Sequence, residues 1–430
     1  MRLHALYQGK IQTTLKCPIR DAKDFAYWYT PGVAAPSRAI AADPSQVHEL
    51  TNKDNFIAVV SDGSRVLGLG NIGPVAGLPV MEGKALLFKY LGGVDAVPIC
   101  LATQDPEEII RTTQLLEPSF GGINLEDIAQ PQCFHILDEL RRRMKIPVWH
   151  DDQQGTATAL LAGLLGALKV VNKAIGSVRI AMIGIGAANY ASYRLLKAYG
   201  VLPEQIVACD SKGTLHRNRH DVEQRKLEFA EKWIVCQESN PDQVTGGIQE
   251  ALRGADVCIA FSSSGPDVIA PAAVKGMARD AIVFACANPV PEIWPWDAKA
   301  AGACVMATGR SDFTNQVNNS LVFPGVFRGT LDSRAVTISD EMALAAALEL
   351  TRCAEEKGLG VDSILPTMAD TWIVPRVAAA TALEAQNTGL SQQTRTREEY
   401  IEMATQRIHE AQRLTEAAFS ENVSRTSSSR

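Results

Sequence analysis

The chain has 430 residues, 46% hydrophobic and 21% charged, with a net charge of −6. That length exceeds one ordinary core and implies two domains, while the acidic balance argues against nucleic acid as a partner. No run of about 18 apolar residues is present to span a membrane, no apolar leader opens the chain, and nine scattered cysteines without a CxxC pair read as reduced thiols of a cytosolic protein.

Residues 1–28 are mixed in character, and Tyr29-Thr-Pro-Gly-Val33 is a turn signal with an aromatic hydroxyl at its edge. Phe56 to Val60 reads as a strand that leads into Ser61-Asp-Gly-Ser-Arg65. The glycine-dense stretch Val66 to Pro74 then calls for tight turns or close backbone approach rather than a plain helix. Met81-Glu-Gly-Lys84 opens a helix over Ala85 to Tyr90, followed by a strand at Val97 to Leu101 and a helix at Asp105 to Leu116. Gly121 to Asp127 is an apolar strand ending in the acidic pair Glu126 and Asp127. Pro131 to Met144 carries Phe134, Ile136, Leu137 and Leu140 at helical spacing. Ile146 to Ala157 is a buried strand that ends in Asp151 and Asp152, then a glycine turn and a helix start.

Strand, helix and strand in this order form a βαβ unit, whose crossover makes the strands parallel neighbours. The two acidic pairs then share one carboxyl edge, roughly 5–10 Å apart. Four carboxylates that close repel unless something positive sits among them, a divalent cation first and a lysine second. Donors made only of oxygen, at the edge where α/β sheets bind ligands, point to Mg²⁺ or Mn²⁺ rather than zinc. His150 points to the opposite strand face and is expected to pack away from that metal.

Thr156 to Val171 is an apolar helix that bridges the domains. Val178 to Ile183 is a strand, Gly184-Ile-Gly-Ala-Ala-Asn189 a turn, and Tyr190 to Tyr199 a helix closed by Gly200. Ile206 to Cys209 is the next strand, ending at Asp210, and further strands follow at residues 257–261, 282–287 and 304–307. This alternation indicates an α/β fold with a doubly wound parallel sheet. Ser339 caps a long helix with Asp340 and Glu341 in its first turn, and helix continues to about Phe419. The expected division is 1–155, an α/β domain; 156–385, a Rossmann-type domain; 386–419, C-terminal helices; and 420–430, a polar disordered tail.

In the turn, Gly184 permits the tight bend and Gly186 lets a pyrophosphate approach the free amides of Ala187 and Ala188 at the helix start. Asn189 is larger than the small residue usual at the third position. Asp210 suits a ribose hydroxyl and, as an acid, favours NAD, whereas the nearby Lys212, His216, Arg217 and Arg219 offer a site for the 2′-phosphate of NADP. Lys84 is a candidate base if burial lowers its pKa, whereas a carboxylate beside it would hold it charged. Asn288 and Asn319 lie at or beyond late strand ends, where an amide can bind a carboxylate or the nicotinamide carboxamide; turn formation is their plainer use.

Several ordered blocks together resemble the malic enzymes over nearly the whole chain. They are Tyr29-Thr-Pro-Gly-Val, Ser61-Asp-Gly with Leu67-Gly-Leu-Gly-Asn-Ile-Gly, Pro79-Val-Met-Glu-Gly-Lys-Ala, Gly122-Ile-Asn-Leu-Glu-Asp, Asp151-Asp-Gln-Gln-Gly-Thr-Ala, Ala307-Thr-Gly-Arg-Ser-Asp, and Gln316-Val-Asn-Asn with Phe323-Pro-Gly. The resemblance implies oxidative decarboxylation of L-malate to pyruvate and CO₂ with NAD or NADP and Mg²⁺ or Mn²⁺. It implies Glu126, Asp127 and Asp152 as metal ligands, Lys84 as general base, Asp151 as the group that tunes it, and Tyr29 as the acid that protonates C3. Arg65, Asn288 and Asn319 become contacts for the substrate carboxylates. Gln154 and Arg65 stand where short bacterial members usually carry His and Ala. The resemblance also implies a homodimer or higher homo-oligomer. Alternatives are a malolactic enzyme or an oxaloacetate decarboxylase using the same site, or a catalytically silent nucleotide-binding regulator.

Overall fold

The computed structural model describes residues 1–427, with side chains to residue 419. Its first sheet has four parallel strands, β1 (Phe56–Ser61), β2 (Asp95–Cys100), β3 (Gly122–Leu125) and β4 (Val148–His150), in the order β2-β1-β3-β4. The helices that carry the chain between them are α1 (Gly73–Gly92), α2 (Pro106–Leu115) and α3 (Gln132–Arg143). Ile57 to Val60 are wholly buried, as expected of parallel strands covered on both faces.

Helix α1 begins much earlier than the glycine-rich sequence suggests. Pro74 lies in its first turn, where the missing N–H costs nothing, and Pro79 follows in the second. Lys84 therefore stands in mid-helix rather than at a helix start. Gly93 closes the helix in the left-handed region at φ 63° and donates to Lys89 O and Phe88 O.

Helix α4 (Thr156–Val170) is buried from Ala157 to Leu168 and joins the two sheets. The second sheet contains β5 (Ile180–Ile183), β6 (Ile206–Asp210), β7 (Gly213–Thr214), β8 (Val257–Ala260), β9 (Ala281–Ala285) and β10 (Ala303–Thr308). Their order is β10-β9-β8-β5-β6-β7, all parallel except the two-residue β7. Counted within this sheet the order is 3-2-1-4-5-6, the Rossmann arrangement, with its switch point between β5 and β8. Helix α5 (Ala187–Tyr199) leaves β5, and Gly200 caps it at φ 109°.

The C-terminal helices are α6 (Phe323–Asp332), α7 (Asp340–Lys357), α8 (Ile373–Asn387) and α9 (Arg397–Ser427). Ser339 caps α7 by accepting from Met342 N. Helices α6 and α9 pack back on α1, so the end of the chain supports the helix that carries Lys84. Helix α9 runs to Ser427; residues 428–430 lie outside the described residues. A single apolar cluster runs from Val59 and Phe88 through Leu164 to Ile180 and Phe284. Among the described residues no helix is long and apolar enough to cross a membrane.

Candidate active site

Parallel pairing of β3 with β4 sets Leu125 beside His150. The residues that follow, Glu126-Asp127 and Asp151-Asp152, therefore leave the sheet side by side at its carboxyl edge. Glu126, Asp127 and Asp152 each offer an oxygen, and the three oxygens lie within 4.8 Å of one another. Asp127 adopts φ 55°, and its N–H donates to Asp152 Oδ2 at 2.8 Å. Strand alternation puts Asn124 on the same face as Glu126, where its Nδ2 donates to Glu126 Oε2 at 2.9 Å.

Lys84 enters this edge from α1 and is 8% exposed. Its Nζ lies 2.6 Å from Asp151 Oδ2 and 2.9 Å from Glu126 Oε1, and 4.4 Å from the centroid of the Phe323 ring. Asp151 is fully buried, and its other oxygen accepts from Trp149 Nε1 at 3.0 Å. Residues 151–155 form a π-type turn ahead of α4. Gly155 closes it so tightly that a Cβ there would overlap Asp151 Oδ1, and it would lie 3.1 Å from Asn319 Cβ.

The electrostatics follow from burial. Burial raises the Glu126 pKa, against Lys84 and with Asp152 and Asp151 adding to the rise. Burial and then Asp152 push Asp127 up to about 8. Burial alone would lower Lys84, but Asp151, Glu126 and Asp152 outweigh it and hold the ammonium charged. Asp127 Oδ2 is buried without a hydrogen-bond partner. Converging hard oxygens, an unpartnered acceptor and mutual repulsion fit a divalent cation of the Mg²⁺ or Mn²⁺ kind. His150 comes closer to this cluster than strand alternation suggests. The π-type turn folds Asp152 back until its Oδ2 is 3.8 Å from His150 Nδ1, and burial lowers the imidazole to about 4, leaving it neutral.

The remaining sequence candidates divide. Arg65 is exposed, and its N–H donates to Asp127 O at 3.0 Å. Asn319 adjoins the Gly155 turn. Asn288 is exposed at the end of β9, and its carbonyl carbon would stand 2.9 Å from a Cβ on Gly68, two residues beyond Val66. That close approach joins the Arg65 loop of the first sheet to the Asn288 turn of the second. Tyr29 does not join the cluster within this chain: it is 71% exposed and has no hydrogen bond to Lys84.

At the switch point Gly184 takes φ 83°, and Gly186 is the N-cap of α5, ahead of Ala187 and Ala188. Asn189 turns inward. It is fully buried, and its Nδ2 donates to Ile183 O at 3.0 Å and Gly184 O at 2.6 Å. Its size therefore does not obstruct the turn, and its side chain braces the bend from beneath instead of meeting a ligand. Asp210 is not a free carboxylate. Arg219 forks onto it with two 3.1 Å bonds, and Lys232 Nζ is 3.1 Å away. With its charge balanced, Asp210 gives no simple repulsion of a 2′-phosphate, and Arg219 is spent on Asp210 and Asp221 rather than left for a ligand. Arg217 Nε donates to Gln237 O.

Sequence reading missed Trp149, Asn124, Phe323 and Gly155 as parts of the site. The i, i+2 spacing of Trp149 with Asp151 and of Asn124 with Glu126 was the available signal; nothing local marks Phe323.

Comparisons with known proteins agree with this geometry. Residues 8–141 match the family model described as malic enzyme, N-terminal domain, and residues 153–386 match malic enzyme, NAD binding domain. The bifunctional malic/malolactic enzyme of Bacillus subtilis is 47% identical, covering 94% of this chain and 96% of its own. The NAD-dependent malic enzyme of Geobacillus stearothermophilus is 48% identical, over 89% of this chain and 78% of its own. The crystal structure of the Entamoeba histolytica malic enzyme superposes with a TM-score of 0.95 at 45% identity, covering 98% of this chain and 87% of that one. With Glu126, Asp127, the buried lysine and the Rossmann sheet in the matched regions, the chain belongs to the malic enzyme family.

Proposed function

We propose that this chain catalyses the oxidative decarboxylation of L-malate to pyruvate and CO₂, with reduction of NAD or NADP and with Mg²⁺ or Mn²⁺. One observation carries the reading: a single buried cluster sets Lys84 against Asp151 and Glu126 while Glu126, Asp127 and Asp152 converge. A dinucleotide held at the glycine turn would supply the acceptor for the C2 hydride, and a divalent ion held by Glu126, Asp127 and Asp152 would supply Lewis-acid stabilisation of the charge left by decarboxylation.

The side chains do the rest. Glu126, Asp127 and Asp152 hold the ion. Lys84 takes the proton of the C2 hydroxyl, with Asp151 aiming the amine; positive charge placed among the ligand carboxylates weakens their hold on the lysine's own proton. Tyr29 donates the proton to C3. Arg65, Asn288 and Asn319 orient the substrate carboxylates. The amides that follow Gly184 and Gly186, at Ala187 and Ala188, receive the pyrophosphate. Asn189 keeps that turn in shape, and Asp210 meets the adenosine ribose.

The same reading assigns residues 1–155 to the metal and lysine half, 156–385 to the dinucleotide half and 386–419 to supporting helices, in a cytoplasmic homodimer. The exposed N-terminal side chains Leu3, Leu6, Tyr7, Phe25 and Trp28 support a second copy. Tyr29 directly follows Trp28 and is 71% exposed, so a partner would supply the cover this acid needs. Product analysis tests the reaction: one NAD(P)H and one pyruvate per malate consumed are expected. Lactate formed without net NADH would replace the reading with a malolactic one.

A further inference from the structure

Glu292 follows the Asn288-Pro289 turn, is wholly buried, and has no part in the site described so far. Among the described residues no lysine or arginine pairs with it. Its oxygens instead accept three hydrogen bonds. Oε1 takes Ser262 N at 2.7 Å and Ser262 Oγ at 3.0 Å, and Oε2 takes Ala287 N at 3.0 Å. Ser262 lies just beyond β8 and Ala287 just beyond β9, so one carboxylate ties together the two loops on one side of the switch point. Ser264 adds a second tie: its Oγ accepts from Val290 N at 3.0 Å and donates to Val290 O at 3.1 Å.

The tie continues at both ends. A Cβ on Gly184 would meet Phe261 O at 2.7 Å and Ser262 Cβ at 3.0 Å, so the dinucleotide turn rests directly on the Ser262 loop. Ala287 is followed by Asn288, which abuts Gly68 of the first sheet's loop. Glycine turn, Ser262, Glu292, Asn288 and Gly68 thus form one contiguous contact path.

We propose that Glu292 is a positioning residue that fixes the distance between the dinucleotide turn and Asn288. This rests on the reading that Asn288 contacts the substrate or the nicotinamide. The position requires a carboxylate because every neighbour donates, and only an ionised carboxyl accepts at both oxygens. In Glu292→Gln one oxygen becomes an amide that points its hydrogens at Ala287 N–H or Ser262 N–H. Two buried donors then face each other, and the loop must shift to relieve them.

The test compares Glu292→Gln, Asn288→Ala and the double variant in malate turnover, together with NADH binding followed by fluorescence. Glu292→Gln is expected to lower kcat/KM for L-malate by about tenfold or more and to weaken NADH binding several-fold. The double variant is expected to fall within about twofold of Asn288→Ala alone, because Glu292 acts through Asn288. Losses that multiply in the double variant would overturn the proposal, as would Glu292→Gln kinetics and NADH affinity within twofold of wild type. Should Glu292→Gln fail to fold, Ser264→Ala decides by the same two readouts: its side chain is exposed, and a smaller loss in both is expected. If the wild type makes no NADH from malate, the reaction reading fails, and NADH affinity alone then decides the role of Glu292.

Discussion

Gly155→Ala tests the tightest packing in the site. The backbone at Gly155 has φ −63°, so alanine is conformationally acceptable, and any effect is steric. The added methyl would stand 2.9 Å from Asp151 Cγ and nearer still to Oδ1. The carboxylate would have to retreat by on the order of 1 Å to reach ordinary contact. It cannot do so cheaply: it is fully buried and bonded to Trp149 Nε1 at 3.0 Å and Lys84 Nζ at 2.6 Å. Breaking a buried ion pair costs about 3–5 kcal/mol, and partial relaxation and alanine's better helix propensity return about 1 kcal/mol of it. A loss of about 3 kcal/mol in urea denaturation is therefore expected. Malate-dependent activity should fall about 10²–10⁴-fold, because the displaced group aims the base. Gly83→Ala is the control. It lies in the same helix as Lys84 with nothing within 4 Å of the new methyl, and it should gain about 0.5–1 kcal/mol. Gly155→Ala that unfolds at the wild-type midpoint and turns over normally would show that Asp151 is not locked as described.

Asp152→Asn should abolish stoichiometric Mn²⁺ binding in calorimetry while the fold persists, since it removes one of three converging carboxylate charges; unchanged affinity would remove Asp152 from the ligand set. Glu349 is fully buried and meets Arg376 and Arg397, each at 2.7 Å, and Arg352 at 3.2 Å. Burial pushes its pKa up, but Arg397 and Arg376 prevail and hold it below the usual glutamate range. A depressed folded pKa means its stabilisation is present above the unfolded value and lost as pH falls through the folded one. Glu349→Gln should therefore destabilise the protein at neutral pH and flatten its acid-unfolding profile; an identical profile would contradict the assignment. Mixing Tyr29→Phe with Lys84→Ala, each inactive alone, should restore up to about a quarter of wild-type activity if partners share sites. No recovery after subunit exchange would place Tyr29's action within its own chain.

Much of the fold was legible because parallel strands leave strong apolar runs. The strands at 56–61, 122–125 and 206–210 and the cap at Ser339 are local features, and the acid pairs were findable from strand order alone. What stayed hidden depends on tertiary contact. Helix α1 was misread because Pro74 falls in the first turn, where it carries no penalty, and because the packed helix tolerates Pro79 in its interior. Asn189 looked like an obstruction because its inward amide bonds cannot be seen in a turn motif. Asp210 looked like a free acid because Lys232 is 22 residues away along the chain. Tyr29's exposure is a matter of tertiary placement that its turn motif does not reveal.

The most direct measurement is absorbance at 340 nm with purified protein, L-malate, Mn²⁺ and NAD or NADP. A rise that EDTA and Lys84→Ala each abolish, with pyruvate as product, is the expected result. A Lys84→Ala variant that retains wild-type turnover, or a rate indifferent to EDTA, would contradict the assignment of base and metal to this cluster.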